Sequence, residues 1–284
     1  MMINREKLKR QIQEWLEEDI GNGDISVQST IPVDAKAVGI MYAKDSGVVA
    51  GLDVAQFVFQ SLDSNLEFRS FVQDGEEIKQ GAVLAEIEGN AGSILTAERL
   101  ALNLLQRMSG IATSTREYTT RAYAANSNVR IVDTRKTTPG LRMLEKYAVR
   151  MGGGHNHRFG LFDAVMIKDN HIKAAGGIGE AVLAARQYIP HTTKIEVEVE
   201  SLDQVKEALL ARADIIMLDN MSVEQMREAV VLINGQAVVE ASGGVNLETV
   251  TAIASTGVDV ISVGALTHSV KALDISLDLN QRKR

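Results

Sequence analysis

Apolar and polar positions along the chain fall into two regimes. Up to about residue 110 helix-like and strand-like stretches mix without a repeating unit. Residues 6–19 carry Leu8, Ile12, Trp15 and Leu16 at helical spacing, which predicts an amphipathic helix. Residues 35–47 read as a strand ending at a turn, and 53–62 as a helix. Residues 67–87 read as strands punctuated by Asp74-Gly75 and by Gly81. Residues 95–108 are again apolar at helical spacing, and Ser109-Gly110 predicts where that helix stops.

From about Val129 the pattern becomes regular. Short apolar runs at 129–133, 163–168, 194–199, 214–219, 237–241 and 259–263 alternate with helix-like stretches at 140–151, 179–189, 202–212, 222–233 and 247–256. Strand–helix alternation predicts parallel strands joined by crossover helices, either as a closed barrel or as an open doubly wound sheet. No Gly-x-Gly-x-x-Gly follows the first run, so the dinucleotide-binding version of the open sheet lacks its fingerprint.

In parallel α/β folds the loops after the strands' C-terminal ends form the active face. Those positions hold a coherent set of side chains. The first run leads into Asp133, Arg135 and Lys136, and the second into Lys168, Asp169, Asn170 and His171. The third carries Glu196, Glu198 and Glu200 in alternation, so that Glu198 faces away from Val197 and Val199. The fourth ends at Asp219-Asn220. The fifth and sixth end in Ser242-Gly243-Gly244 and Gly264-Ala265, turns whose backbone N–H groups suit a phosphate. Singly, each element has an ordinary explanation. Strand-end Asp and Asn cap helices, glycine serves steric needs, and alternating glutamates also mark a solvated edge strand. Together, cations at two strand ends, carboxylates at two and glycine turns at two describe a site for an anionic, phosphorylated, metal-assisted substrate.

Charge sharpens that picture. The 284-residue chain has a net charge of −7, yet residues 130–173 hold nine Lys/Arg against four Asp/Glu and three of the five histidines. A basic stretch in an acidic chain points to a focused anion site, and without interleaved aromatics it argues against nucleic acid. There is no cysteine, which excludes disulfides, thiolate nucleophiles and Cys-ligated zinc. No apolar run approaches the roughly 18 residues of a membrane span, and the charged start is unlike a secretory signal. A cytoplasmic enzyme is expected.

The same residues resemble the quinolinate phosphoribosyltransferases (carboxylating nicotinate-nucleotide pyrophosphorylases). The likeness begins at EDIGNGDIS (18–26), runs through LTAERLALNLLQRMSGIAT (95–113) and is most specific in the long basic stretch 133–171. It ends with EVEVES (196–201), MLDN (217–220), EASGGV (240–245) and VGALTHS (263–269). The resemblance implies an N-terminal α/β sandwich domain over 1–112 and an incomplete parallel α/β-barrel of fewer than eight strands over 113–284, with the last residues packing back on the first domain. It implies transfer of phosphoribose from phosphoribosyl pyrophosphate to quinolinate with decarboxylation, giving nicotinate mononucleotide, pyrophosphate and carbon dioxide in NAD biosynthesis.

By the same resemblance Arg135, Lys136, His157, Arg158 and Lys168 form the cationic pocket for the two quinolinate carboxylates. Arg99 joins it from the neighbouring subunit of a homodimer with shared sites, or of a higher oligomer. Glu198 and Asp219 serve the ribose hydroxyls and Mg²⁺, while Ser242, Gly243, Gly264 and His268 line the phosphate side. Lys136, Lys168, Glu198 and Asp219 are the expected catalytic residues. Two other readings compete. A phosphoribosyltransferase for a monocarboxylate would need fewer cations. A biotinyl or lipoyl carrier, suggested by the turn-rich stretch 71–89, would need a lysine at a hairpin tip, and Lys79 sits mid-pattern instead.

Overall fold

The computed structural model describes residues 3–281; residues 1, 2 and 282–284, over which the expected domains also extend, lie outside the described residues. In chain order the first elements are α1 (Arg5–Ile20), α2 (Ile25–Thr30), β1 (Lys36–Ala43), β2 (Gly47–Val48), α3 (Leu52–Leu62), β3 (Glu67–Ser70), β4 (Glu77–Ile78), β5 (Val83–Asn90) and α4 (Ala91–Ala125). Then follow β6 (Arg130–Val132), α5 (Arg142–Met151), β7 (Val165–Ile167), α6 (Asp169–Ala175), α7 (Ile178–Tyr188), β8 (Ile195–Val199), α8 (Leu202–Leu210) and β9 (Ile215–Asp219). The last are α9 (Val223–Ile233), β10 (Val238–Ser242), α10 (Val250–Ala254), β11 (Val260–Ser262), α11 (Ala265–His268) and β12 (Ile275–Gln281). Two compact units result. One comprises the residues up to 114, 139–153 and those from 270 on, and the other 115–138 and 154–269.

The first unit is built on an antiparallel sheet in the order β12-β1-β5-β3. Burial alternates along β1, so Ala37, Met41 and Ala43 face the core while their neighbours do not. Met41 stands between Leu277 of β12 and Ala85 of β5. Helix α1 starts at Asn4, whose side chain accepts the Lys7 N–H, and it buries Leu8, Ile12 and Leu16. Asp74 ties the unit together: it accepts N–H groups from Gly51 and Leu52 at the start of α3, at 2.9 and 3.1 Å, and the Tyr147 hydroxyl at 2.8 Å.

Helix α4 overturns one expectation, since it does not stop at Ser109-Gly110 but runs on to Ala125. Its apolar stripe continues through the buried Ile111, Ala112, Tyr118 and Ala122. Glycine inside a helix costs about 1 kcal/mol relative to alanine, and here packing explains it. A Cβ on Gly110 would meet the Lys271 carbonyl oxygen at 2.2 Å. Ser109 is buried and its Oγ accepts the Ala50 N–H at 3.0 Å. Both residues answer to close approach within the first unit rather than to helix termination.

The second unit carries the site. All six expected parallel strands form, in the order β6-β11-β10-β9-β8-β7. Read around a circle, that is the chain order of a barrel with one seam, between β6 and β7, left unpaired; His155 makes a single parallel bridge to Val132 on the β6 side. The fold is thus an incomplete α/β-barrel. Helix α5, which follows β6 in sequence, belongs to the first unit. Strand β8 is no solvated edge: β7 and β9 flank it, and Ile195, Val197 and Val199 are fully buried. Each fully buried side chain of this kind contributes about 1.5–3 kcal/mol. The crossover helices lay their apolar faces inward, with Val205 and Ala208 of α8 and Met226, Ala229 and Ile233 of α9 buried. Ser201 and Ser222 cap these two helices. Among the described residues no helix is long and apolar enough to cross a membrane.

Candidate active site

Parallel register brings the strands' C-terminal ends to one rim: Ser242 lies opposite Asp219, and Glu198 opposite Met217. A pocket of about 720 Å³ opens there. Of the twelve site residues expected from sequence, eleven line it: Arg135, Lys136, His157, Arg158, Lys168, Glu198, Asp219, Ser242, Gly243, Gly264 and His268. The twelfth, Arg99, stands on α4 in the first unit, 63% exposed at its side chain, with Glu98 at 4.0 Å, and is not among the lining residues.

The cations come from two loops. Arg135 and Lys136 follow β6 and are exposed. Their loop is held by the Thr267 hydroxyl, which donates to the Lys136 carbonyl at 2.8 Å. Arg158 donates from Nη1 to the Ala164 carbonyl at 3.0 Å, while its buried Nε has no hydrogen-bond partner. Burial, and then the charge of Arg135 nearby, lower its pKa. Two guanidinium groups repelling one another at a pocket wall are relieved by an anion. Lys168 ends β7, and its Nζ touches Glu198 Oε2.

The rest of the lining is carboxylate and glycine. Asp219 accepts the Asn220 amide at 2.9 Å. Gly243 adopts φ +85°, and a Cβ there would lie 2.2 Å from Asn220 Oδ1, so the turn after β10 admits only glycine. The helices that follow the two glycine turns, α10 and α11, have five and four residues.

Beneath the pocket lie residues whose roles the sequence leaves open. Asp133 at the end of β6 is fully buried and accepts from the Asn156 amide at 2.6 Å and the His157 N–H at 2.9 Å, fixing the segment that presents His157 and Arg158. His157 Nε2 stands 3.3 Å from Glu196 Oε2 and 3.4 Å from Glu240 Oε1. Burial opposes a charged ring, while the two carboxylates favour one. Burial raises the Glu196 pKa. Nδ1 accepts the Arg158 N–H at 2.7 Å, which leaves the ring's own proton on Nε2, facing the two carboxylates. In the sequence Glu240 is visible only as a glutamate inside an otherwise apolar central strand, a placement that is costly without a partner.

Among the described residues, two groups of side chains offer metal ligands. His157, Glu196 and Glu240 bring three ligand atoms within 4.8 Å of one another below the pocket. Glu198 and Asp219 lie in the pocket wall itself and offer only carboxylate oxygens. Oxygen donors beside an open volume fit Mg²⁺, which keeps few protein ligands and takes the rest from water and substrate phosphates. A nitrogen-containing, buried set fits it poorly.

A parallel barrel whose rim brings clustered cations together with carboxylates and glycine turns defines an α/β enzyme for anionic, phosphate-bearing substrates. The comparisons narrow the class. The family model of the quinolinate phosphoribosyl transferase N-terminal domain matches residues 24–109, and that of the C-terminal domain matches 111–278. The chain is 48% identical over 277 residues to a Bacillus subtilis protein named "Probable nicotinate-nucleotide pyrophosphorylase (carboxylating)", covering 98% of this chain and 95% of that one. It is 47% identical over 292 residues to a mitochondrial quinolinate phosphoribosyltransferase (decarboxylating) of Nicotiana glauca, covering 96% and 82%. The crystal structure of NadC from Streptococcus pyogenes superposes with a TM-score of 0.95 at 42% identity, covering 100% of both chains. The chain belongs to the quinolinate phosphoribosyltransferase family.

Proposed function

We propose that this chain transfers phosphoribose from phosphoribosyl pyrophosphate to the nitrogen of quinolinate and releases carbon dioxide, giving nicotinate mononucleotide and pyrophosphate for NAD biosynthesis. The observation that carries the reading is the meeting, in one pocket, of Arg135, Lys136, Arg158 and Lys168 with Glu198, Asp219 and the Ser242-Gly243 turn.

Quinolinate carries two carboxylates, and Arg158 and Arg135 offer forked donors while Lys136 and Lys168 offer point charges. Several fixed cations favour a dicarboxylate over a monocarboxylate, whose single charge would leave part of the wall unpaired. As the ribose C–O bond breaks the sugar gains positive charge, which Glu198 and Asp219 would stabilise while orienting its hydroxyls. Held by those two carboxylates, Mg²⁺ would neutralise the departing pyrophosphate. Ser242, Gly243, Gly264 and His268 receive the phosphate side. Once ribosylated, the cationic pyridine nitrogen stabilises the electron pair left on C2 as the C–CO₂ bond breaks, and a proton taken up at C2 completes nicotinate mononucleotide, so decarboxylation needs no dedicated base.

The active unit in this reading is a homodimer in which Arg99 reaches the partner's pocket, and the enzyme acts in the cytoplasm. Incubation with quinolinate, phosphoribosyl pyrophosphate and Mg²⁺ tests the reaction through carbon dioxide and mononucleotide. Turnover of nicotinate at the rate of quinolinate would overturn the substrate assignment.

A further inference from the structure

The floor of the pocket holds more charge than the chemistry above requires. Barrel interiors are ordinarily filled by branched apolar side chains. Residues two apart on a strand share a face, so Glu196 points the same way as Glu198, and Glu240 the same way as Ser242, one step deeper into the barrel. Both are 2% exposed. Buried carboxylates are costly unless paired, and both face Nε2 of His157, at 3.3 and 3.4 Å; Glu196 hydrogen-bonds the ring, while Glu240 Oε1 makes no hydrogen bond.

The ring's other nitrogen is engaged too. Nδ1 lies 2.7 Å from the Arg158 backbone nitrogen, whose N–H points at it. An N–H can donate there only if Nδ1 keeps its lone pair, so the ring proton resides on Nε2, between the two carboxylates. The backbone N–H of His157 is also fixed, by Asp133 at 2.9 Å. His157 thus lines the pocket with both ring nitrogens already committed within the protein. Arg158 follows it directly and has its guanidinium anchored on Ala164 at 3.0 Å. The backbone N–H that holds the ring and the guanidinium that faces the pocket belong to one residue.

We propose that Glu196 and Glu240 are positioning residues that act through His157 to fix Arg158 for the substrate carboxylates, and that His157 itself is not a substrate ligand. The proposal rests on the reading of the pocket as a quinolinate site. It departs from the role the family resemblance implies for His157, which is direct contact with quinolinate.

Calorimetry with quinolinate alone reads this without turnover. Glu240→Gln keeps the shape and removes the charge. It is expected to weaken quinolinate binding about tenfold and to leave phosphoribosyl pyrophosphate binding within about twofold. Glu196→Gln is expected to do the same, and neither change adds to His157→Asn, because all three act through one ring. In ¹⁵N-histidine NMR of the wild-type protein, with His157 assigned by its loss in His157→Asn, Nδ1 should read as an unprotonated acceptor and Nε2 as the proton-bearing nitrogen. Saturating quinolinate should leave both resonances in place. A quinolinate-induced shift of either ring nitrogen, or unchanged quinolinate affinity in Glu240→Gln, overturns the proposal. Wild-type protein that bound no quinolinate would overturn the reading of the pocket along with it, and that result precedes any variant.

Discussion

Lys168 and Glu198 hold each other in the pocket, Nζ of the one on Oε2 of the other. The proposed chemistry assigns them to different substrates, Lys168 to a quinolinate carboxylate and Glu198 to the ribose and metal. Each substrate therefore draws one member of the pair away from the other. Glu198→Gln is expected to cost about 2 kcal/mol or more in kcat/KM for phosphoribosyl pyrophosphate, while quinolinate affinity, measured by calorimetry, is unchanged or tighter. Arg135→Ala and Lys168→Ala are each expected to cost about 2 kcal/mol or more of transition-state stabilisation by leaving a substrate carboxylate unpaired. Near-normal kcat/KM in both of the latter would remove these cations from the site.

Gly243 is expected to tolerate no side chain. Its φ of +85° and the 2.2 Å separation between Asn220 Oδ1 and any Cβ placed there act together. Gly243→Ala should cost about 1–3 kcal/mol of stability and raise KM for phosphoribosyl pyrophosphate more than that for quinolinate. Gly244→Ala, with φ +60° but open space, should cost less. Thermal unfolding and steady-state kinetics of the two variants check the ordering.

Activity is expected to vanish in excess chelator and to return with Mg²⁺ or Mn²⁺, both of which suit carboxylate oxygens. In Asp219→Asn the metal concentration giving half-maximal rate should rise. Full activity in chelator would exclude the metal role of Glu198 and Asp219.

Arg99 and Lys168 provide a test of assembly. Arg99→Ala and Lys168→Ala are each expected to be inactive, yet a heterodimer of the two would carry both defects in one site and neither in the other. Random equal mixing gives about half heterodimers, so about a quarter of wild-type activity should return. Co-expression with differential tags isolates the heterodimer. If it remains as inactive as its parents, Arg99 does not act in trans.

The six barrel strands are legible in the sequence because each is a short apolar run bounded by polar residues, and the rim chemistry is legible because cations, carboxylates and glycines fall where those runs end. The continuous helix α4 is not legible. Ser109-Gly110 has the composition of a helix stop, and only the approach of residues 271 and 272, far along the chain, reveals why glycine sits inside a helix. Helix α6 escapes the pattern because its first residues, Asp169 and Asn170, read as loop chemistry at a strand end. Glu196 looks like one member of an alternating row. Its burial becomes apparent only when β7 and β9 close on either side of β8, and its pairing with His157 only when Asp133 fixes the segment before Arg158.

Strand β12 completes the sheet of the first unit by pairing along nearly the whole of β1, from Ala43 opposite Ile275 to Ala37 opposite Gln281. The two partners are separated by roughly 230 residues of chain, and a ribosome moving at about 5–20 residues per second needs on the order of ten to fifty seconds to cross that distance. Throughout that interval one edge of β1 stands open on the nascent chain, an exposed template for pairing with another molecule. Biogenesis of this protein thus has a vulnerable window that closes only once β12 has been made, and a holdase shielding β1 until then would raise the yield of folded protein without touching the pocket.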